Sequence, residues 1–191
     1  MHVGAGGKSL KGWLNTDFAP ISLSVVPLDI TKPFPFSAET FHYIYSEHMI
    51  EHLSYNNGIF MLRECFRVLR PAGRIRIATP DLRVIVGLFA AEKTSEQRRY
   101  IQSMLDNSLP KLGVRHECFV LNYMVHNGHE FVYDAETLQS AIESCGFCNV
   151  RFCRTSESDE MHLRGLETRA DQDNRFETMI LEASKPKLVS Q

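Results

Sequence analysis

The stretch His2-Val3-Gly4-Ala5-Gly6-Gly7 is followed, with ten residues between Gly6 and Asp17, by Leu14-Asn15-Thr16-Asp17. A glycine-rich turn directly after a strand lets backbone approach a ligand closely. An acidic residue at the end of the next strand can accept hydrogen bonds from both hydroxyls of a ribose. Together they point to a site for an adenosine-containing cofactor at one edge of a parallel sheet. The glycine cluster alone is weak, and its value depends on the pattern of the residues after Asp17.

Downstream, strand and helix signals alternate, which predicts an α/β domain with a mostly parallel sheet. Strands are expected at Met1–Val3, Trp13–Thr16, Ser24–Leu28 and Tyr43–Tyr45. A helical segment is expected over His48–Leu53, broken by Asn56-Asn57-Gly58. A helix over Ile59–Leu69 then carries an apolar stripe of Ile59, Leu62, Cys65, Phe66 and Leu69. Pro71-Ala72-Gly73 reads as a turn into a fifth strand, Arg74–Thr79.

Helix is expected from Leu82 to Leu105, whereas residues 106–131 show no clean period. Residues 82–131 read as a lid or substrate-side region. Asp134 is placed to cap a helix over Ala135–Cys145, ended by Gly146. A sixth strand, Asn149–Arg154, and a seventh, Phe176–Ala183, are expected to pair antiparallel, with a polar connection over residues 156–174. The whole reads as one domain over residues 1–184 with a frayed tail at 185–191.

Bulk properties narrow the function classes. The chain has 191 residues, 43% hydrophobic and 23% charged, which is ordinary for a soluble domain with a full core. With 21 basic and 23 acidic residues the net charge is -2, so no basic excess drives nucleic-acid binding. Arg63, Arg67 and Arg70 share a polar helix face without interleaved aromatics, so no nucleic-acid partner is expected. No apolar run approaches a membrane span and no secretory pattern opens the chain, so a cytoplasmic location and no membrane partner are expected. Five cysteines at irregular spacing give no disulfide framework, and Cys145-Gly-Phe-Cys148 lacks the second pair that a zinc site needs.

The series HVGAGG (2–7), LNTD (14–17), LDITKPFPF (28–36), YIYSEHMIEHL (43–53) and LRECFRVLRPAGRIRIATPD (62–81) resembles class I S-adenosylmethionine (SAM)-dependent methyltransferases. It is similar to the small methyltransferase type 11-like branch, and the resemblance covers nearly the whole chain. It implies a Rossmann-like sheet of seven strands, mostly parallel with an antiparallel last strand, and helices on both faces. It also implies SAM as the cofactor. Carried over by position, Gly4, Ala5 and Gly6 lie under the methionine part, Asp17 binds the ribose, and Asp29 and Ile30 lie at the adenine. Ser46, Glu47 and His48 come after strand 4, where cofactor meets acceptor. Four departures stand out: His2 and His42 replace residues that are acidic in many relatives, the strand 1–strand 2 connection is too short for a full helix, and strand 1 has almost no residues before Gly4.

Methyl transfer needs a protein base only if the acceptor must lose a proton. His48 is the first candidate for that role, with pocket shaping as its alternative, and His129 is the second. His48-Met-Ile-Glu51-His52 also matches the pattern His-x-x-Glu-His, but no third ligand is visible, so no metal is expected. The resulting expectation is a methyltransferase acting on a small molecule or saccharide. A non-catalytic interaction protein is the alternative, and a nicotinamide-dependent oxidoreductase is disfavoured by the missing third glycine.

Overall fold

A computed structural model describes residues 1–107, 116–168 and 172–187. Seven strands form one sheet in the order β3-β2-β1-β4-β5-β7-β6. They are β1 (His2–Val3), β2 (Asn15–Asp17), β3 (Val25–Pro27), β4 (Phe41–Glu47), β5 (Leu69–Pro80), β6 (Cys148–Cys153) and β7 (Thr178–Ser184). The pairs β1/β2, β2/β3, β1/β4 and β4/β5 are parallel. Strand β7 runs antiparallel between β5 and β6. The strand order reverses between β1 and β4, so the carboxyl ends of those two strands open the crevice where such sheets bind ligands.

The helices are α1 (Tyr55–Val68), α2 (Leu82–Gly87), α3 (Ser95–Asn107), α4 (Glu117–His126), α5 (Ala135–Ser144) and α6 (Gln172–Glu177). Helices α1 and α5 bury Met61, Leu62, Cys65, Leu138 and Ile142 against Val3, Ile44, Ile75 and Ile77 of the sheet. On the opposite face Tyr45 packs with Leu163 and Leu166 of the β6–β7 connection and with Trp13. A second small core of Ile85, Leu88, Tyr100, Ile101, Val120 and Met124 joins α2, α3 and α4, with Phe176 of α6 packed on it.

Several sequence expectations shift for identifiable reasons. Asn56-Asn57-Gly58 does not break the chain but lies in the first turn of α1, because Ser54 supplies the cap and accepts from the Asn57 N–H. Gly58 is there for packing: a Cβ on it would stand 2.5 Å from the Tyr133 hydroxyl. The expected helix at His48–Leu53 is only a 3₁₀ turn over Ile50–His52. Pro71-Ala72-Gly73 does turn, but as a bulge inside β5, with Phe41 paired to Leu69 and Tyr43 to Arg74.

The expected helix over Leu82–Leu105 is two helices, α2 and α3. Helix α4 falls in the stretch that showed no period: apolar residues surround it, though only Val120 and Met124 are buried. Phe176 belongs to α6, so β7 starts two residues later than expected. The cap by Asp134, which accepts from the Thr137 N–H, is as expected. Residues 108–115 of the 82–131 region, 169–171 of the connection and 188–191 of the tail lie outside the described residues. Among the described residues no helix is long and apolar enough to cross a membrane.

Candidate functional site

Two cavities adjoin at the carboxyl ends of β1 to β4. One, of 350 Å³, is lined by Gly4–Lys8, Glu47, His48 and Thr168 among others. The other, of 620 Å³, is lined by Phe18, Leu28, Asp29, Ile30 and Leu53, and is largely apolar. Gly4, Asp17, Met49 and His52 line both. Asp17 therefore stands at the junction, with the glycine turn on one side and the β3 turn on the other.

The glycine turn is built for close approach. Gly4 has φ +73 and Gly6 φ +50, the left-handed region that disfavours side chains. A Cβ on Gly4 would lie 2.5 Å from Met49 Cγ and 2.9 Å from Met49 Cβ. The Gly6 N–H donates to Asp17 Oδ2 at 2.7 Å, and the Ala19 N–H to Oδ1 at 3.0 Å. Strand-end carboxylate and turn thus brace each other. Gly4→Ala is expected to cost about 1–2 kcal/mol in backbone strain alone, more once Met49 is displaced. It should lower both the melting temperature and the affinity of whatever fills the cleft. An unchanged melt would show that the turn tolerates a side chain.

The other residues singled out by sequence occupy distinct surroundings. Ala5 is buried and fixed by its N–H to the Thr16 carbonyl. Asp29 accepts from the Thr31 N–H and hydroxyl and pairs with Lys32 at 2.9 Å; these contacts hold its carboxyl down at about 2. Ile30 lines the apolar cavity beside it. Glu47 accepts from the Thr168 N–H and, at 2.6 Å, from its hydroxyl. Ser46 lines neither cavity; it is buried within the sheet with no hydrogen-bond partner for its hydroxyl.

His48 is buried, with a backbone φ of +47, and walls the smaller cavity. Its Nε2 lies 3.0 Å from the Thr178 hydroxyl and its Nδ1 3.4 Å from Glu51 Oε1. His129, from the α4–α5 loop, lines neither cavity, but its ring centroid is 4.6 Å from that of His52. Burial holds the His129 imidazole below its ordinary range. Burial, reinforced by Glu51, pushes the nearby Glu177 carboxyl up to about 8.

Sequence reasoning missed three contributors. Thr168 reaches Glu47 across 121 positions, and its carbonyl accepts from Lys8 Nζ at 2.8 Å, so the β6–β7 connection straps the glycine turn. No local signal announces such a contact. Met49 packs against Gly4 and lines both cavities. His52 stands between the cavities; its signal was the His-x-x-Glu-His pattern. His2 packs on Tyr45 at 5.2 Å, with Nδ1 3.1 Å from Asn15 Oδ1. Burial lowers its pKa, so it brings no charge to the cleft at neutral pH.

A sheet of this order with β7 reversed, a glycine turn after β1 and carboxylates at the ends of β2 and β4 define the Rossmann-like fold of SAM-dependent methyltransferases. Residues 8–77 match the family described as Methyltransferase domain.

Solved structures agree on the fold. A SAM-dependent methyltransferase from Archaeoglobus fulgidus is 15% identical, with a TM-score of 0.55 over 96% of this chain and 84% of that one. A chain from the complex of the Haloferax volcanii Trm112 methyltransferase activator is 12% identical, with a TM-score of 0.52 over 97% and 81%. A protein from Bordetella parapertussis described as a possible exported protein is 12% identical, with a TM-score of 0.50 over 90% of this chain; this chain spans 52% of that protein. No curated protein matches the sequence.

Proposed function

We propose that this chain binds SAM across the two adjoining cavities and methylates a small-molecule or saccharide acceptor. The observation that carries the reading is the position of Asp17 at their junction, between the glycine turn and the apolar cavity beside Ile30. The residues present fit the cofactor. The glycine turn leaves space that a Cβ at Gly4 would take away. The apolar cavity suits a flat base, and Glu47 offers a carboxylate to an ammonium group, a role that neutral His2 does not fill.

Bound there, SAM would supply a methyl group on a sulfonium, a good leaving group, so alignment can provide much of the rate. The protein's part is to hold and orient. Gly4–Gly6 and Asp17 fix the nucleoside end, and Glu47, tied to Thr168, fixes the amino-acid end. His48 has both ring nitrogens next to protein groups, which favours its role as a wall over that of a base. The described residues 82–107 and 116–131 are the acceptor side.

Calorimetric titration with SAM, S-adenosylhomocysteine and NAD tests the reading. Micromolar binding of the first two supports it. Binding of NAD alone would move the chain to the oxidoreductases, and no binding at all would favour a non-catalytic interaction protein.

A further inference from the structure

A cluster of potential ligands lies at the wall of this cleft, with His52 lining both cavities. Glu51, His52 and His129 each place one ligand atom within 4.8 Å of the other two. We propose that these three side chains form a binding site for a divalent transition ion of the Zn²⁺ type at the acceptor edge of the cleft.

Two buried polar atoms need a partner there. Glu51 is 0% exposed, and its Oε1 makes no hydrogen bond; His48 Nδ1 stands 3.4 Å from it, a long contact. His129 Nδ1 is likewise buried without a hydrogen-bond partner. Leaving such atoms bare is costly. One cation satisfies both.

The surroundings orient the ligands in the manner of a metal centre. His52 Nδ1–H donates to the Gly128 carbonyl at 2.9 Å, which leaves Nε2 with its lone pair free for an ion. Glu51 Oε2 accepts from the Thr79 hydroxyl at 3.0 Å, which leaves Oε1. The Glu130 and Phe131 N–H groups both donate to the Glu51 carbonyl, clamping the α4–α5 loop, and with it His129, onto the 3₁₀ turn. Ligands about 2.1 Å from one ion sit up to about 4 Å apart, so a small rotation of the rings closes the site.

Two imidazoles and one carboxylate suit Zn²⁺, Fe²⁺ or Mn²⁺ and are poorly matched to Mg²⁺ or Ca²⁺. Three protein ligands leave a coordination position open. His52 lines both cavities, so that position adjoins the cleft. If the methyltransferase reading holds, on which this last step rests, the ion's remaining ligand is an oxygen of the acceptor, which makes the acceptor class hydroxyl-bearing.

The test uses the full chain stripped with a chelator. Zn²⁺ is titrated by calorimetry, and Co²⁺ is followed by its visible absorption. One ion per chain is expected, with a Co²⁺ spectrum lacking thiolate charge-transfer bands, which excludes the five cysteines as ligands. His52→Ala and His129→Ala should each weaken binding about 100-fold or more, while His126→Ala, on the exposed side of α4, leaves it unchanged. Circular dichroism of the stripped variants confirms that they are folded. Absence of binding at about 100 µM Zn²⁺, or equal affinity in the His129 variant, overturns the site. SAM binding by the stripped wild type is measured in parallel: its persistence without metal binding would sink the metal site alone, and its loss alone would sink the methyltransferase reading.

Discussion

Asp17→Ala is expected to abolish measurable SAM binding while leaving the chain folded. A carboxylate accepting from two ribose hydroxyls makes two charge-assisted hydrogen bonds, and losing them costs about 3 kcal/mol or more, over 100-fold in Kd. The geometry adds a second contribution. Asp17 Oδ2 also holds the Gly6 N–H at 2.7 Å, so the variant frees the turn that lies under the rest of the ligand. Asp17→Asn separates the two effects. Its one carbonyl oxygen can keep the Gly6 contact, so an intermediate affinity is expected. Calorimetry gives the affinities, and thermal melts show that the fold persists, since Asp17 is only partly buried at the sheet edge. Wild-type affinity in Asp17→Ala would remove Asp17 from the site and leave the nucleoside reading without its anchor.

How much could be read from the sequence depends on the range of the interactions. The strands could be read because β-branched and apolar residues cluster between turn signals, and the strand-end residues Gly4, Asp17, Asp29 and Glu47 come from that alternation. The parallel sheet then forces those ends to one edge, where four of its strand tips surround two cavities. Helix α4 was not legible because its apolar residues have no preferred side until Val120 and Met124 find α2 and α3. The start of α1 was misread because a local breaker, Gly58, serves a tertiary contact with Tyr133. The third partner of Glu51 and His52 stayed hidden for the same reason. His129 is brought to them by the Glu130 and Phe131 N–H groups, which donate to the Glu51 carbonyl, and no spacing rule encodes a contact between segments so far apart.

Arg76→Ala is expected to be the most destabilising single change on the solvent-distant face of the sheet. Arg76 is 0% exposed, with Nε 2.6 Å from Glu167 Oε1 and Nη1 2.5 Å from Glu182 Oε1. Truncating it leaves a void beside Glu167 Oε1 and Glu182 Oε1, although the Ser156 N–H still donates to Glu167 Oε2 and Arg151 to Glu182 Oε2. Breaking a buried ion pair from one side costs about 3–5 kcal/mol, a large part of a typical total stability of roughly 5–15 kcal/mol. For a domain of this size that lowers the melting temperature by roughly 6–20 °C. Acid should narrow the gap. Burial pulls the Glu182 carboxyl up, but its bonds to Arg151, Ser158 and Arg76 override this and hold it below the ordinary value. A group with a depressed folded pKa contributes stability that is present above its unfolded value, about 4.3, and lost as pH falls through the folded one. The wild type therefore loses this contribution in acid. In Arg76→Ala protonation of Glu182 removes a buried charge that has lost a partner, so the two melts should converge between neutral pH and about pH 3. The cofactor cleft is affected as well. Glu167 precedes Thr168, which holds Glu47 and Lys8, so releasing Glu167 loosens the strap over the glycine turn. A variant that melts early yet binds SAM as tightly as the wild type would show that the strap is held by Glu47 alone.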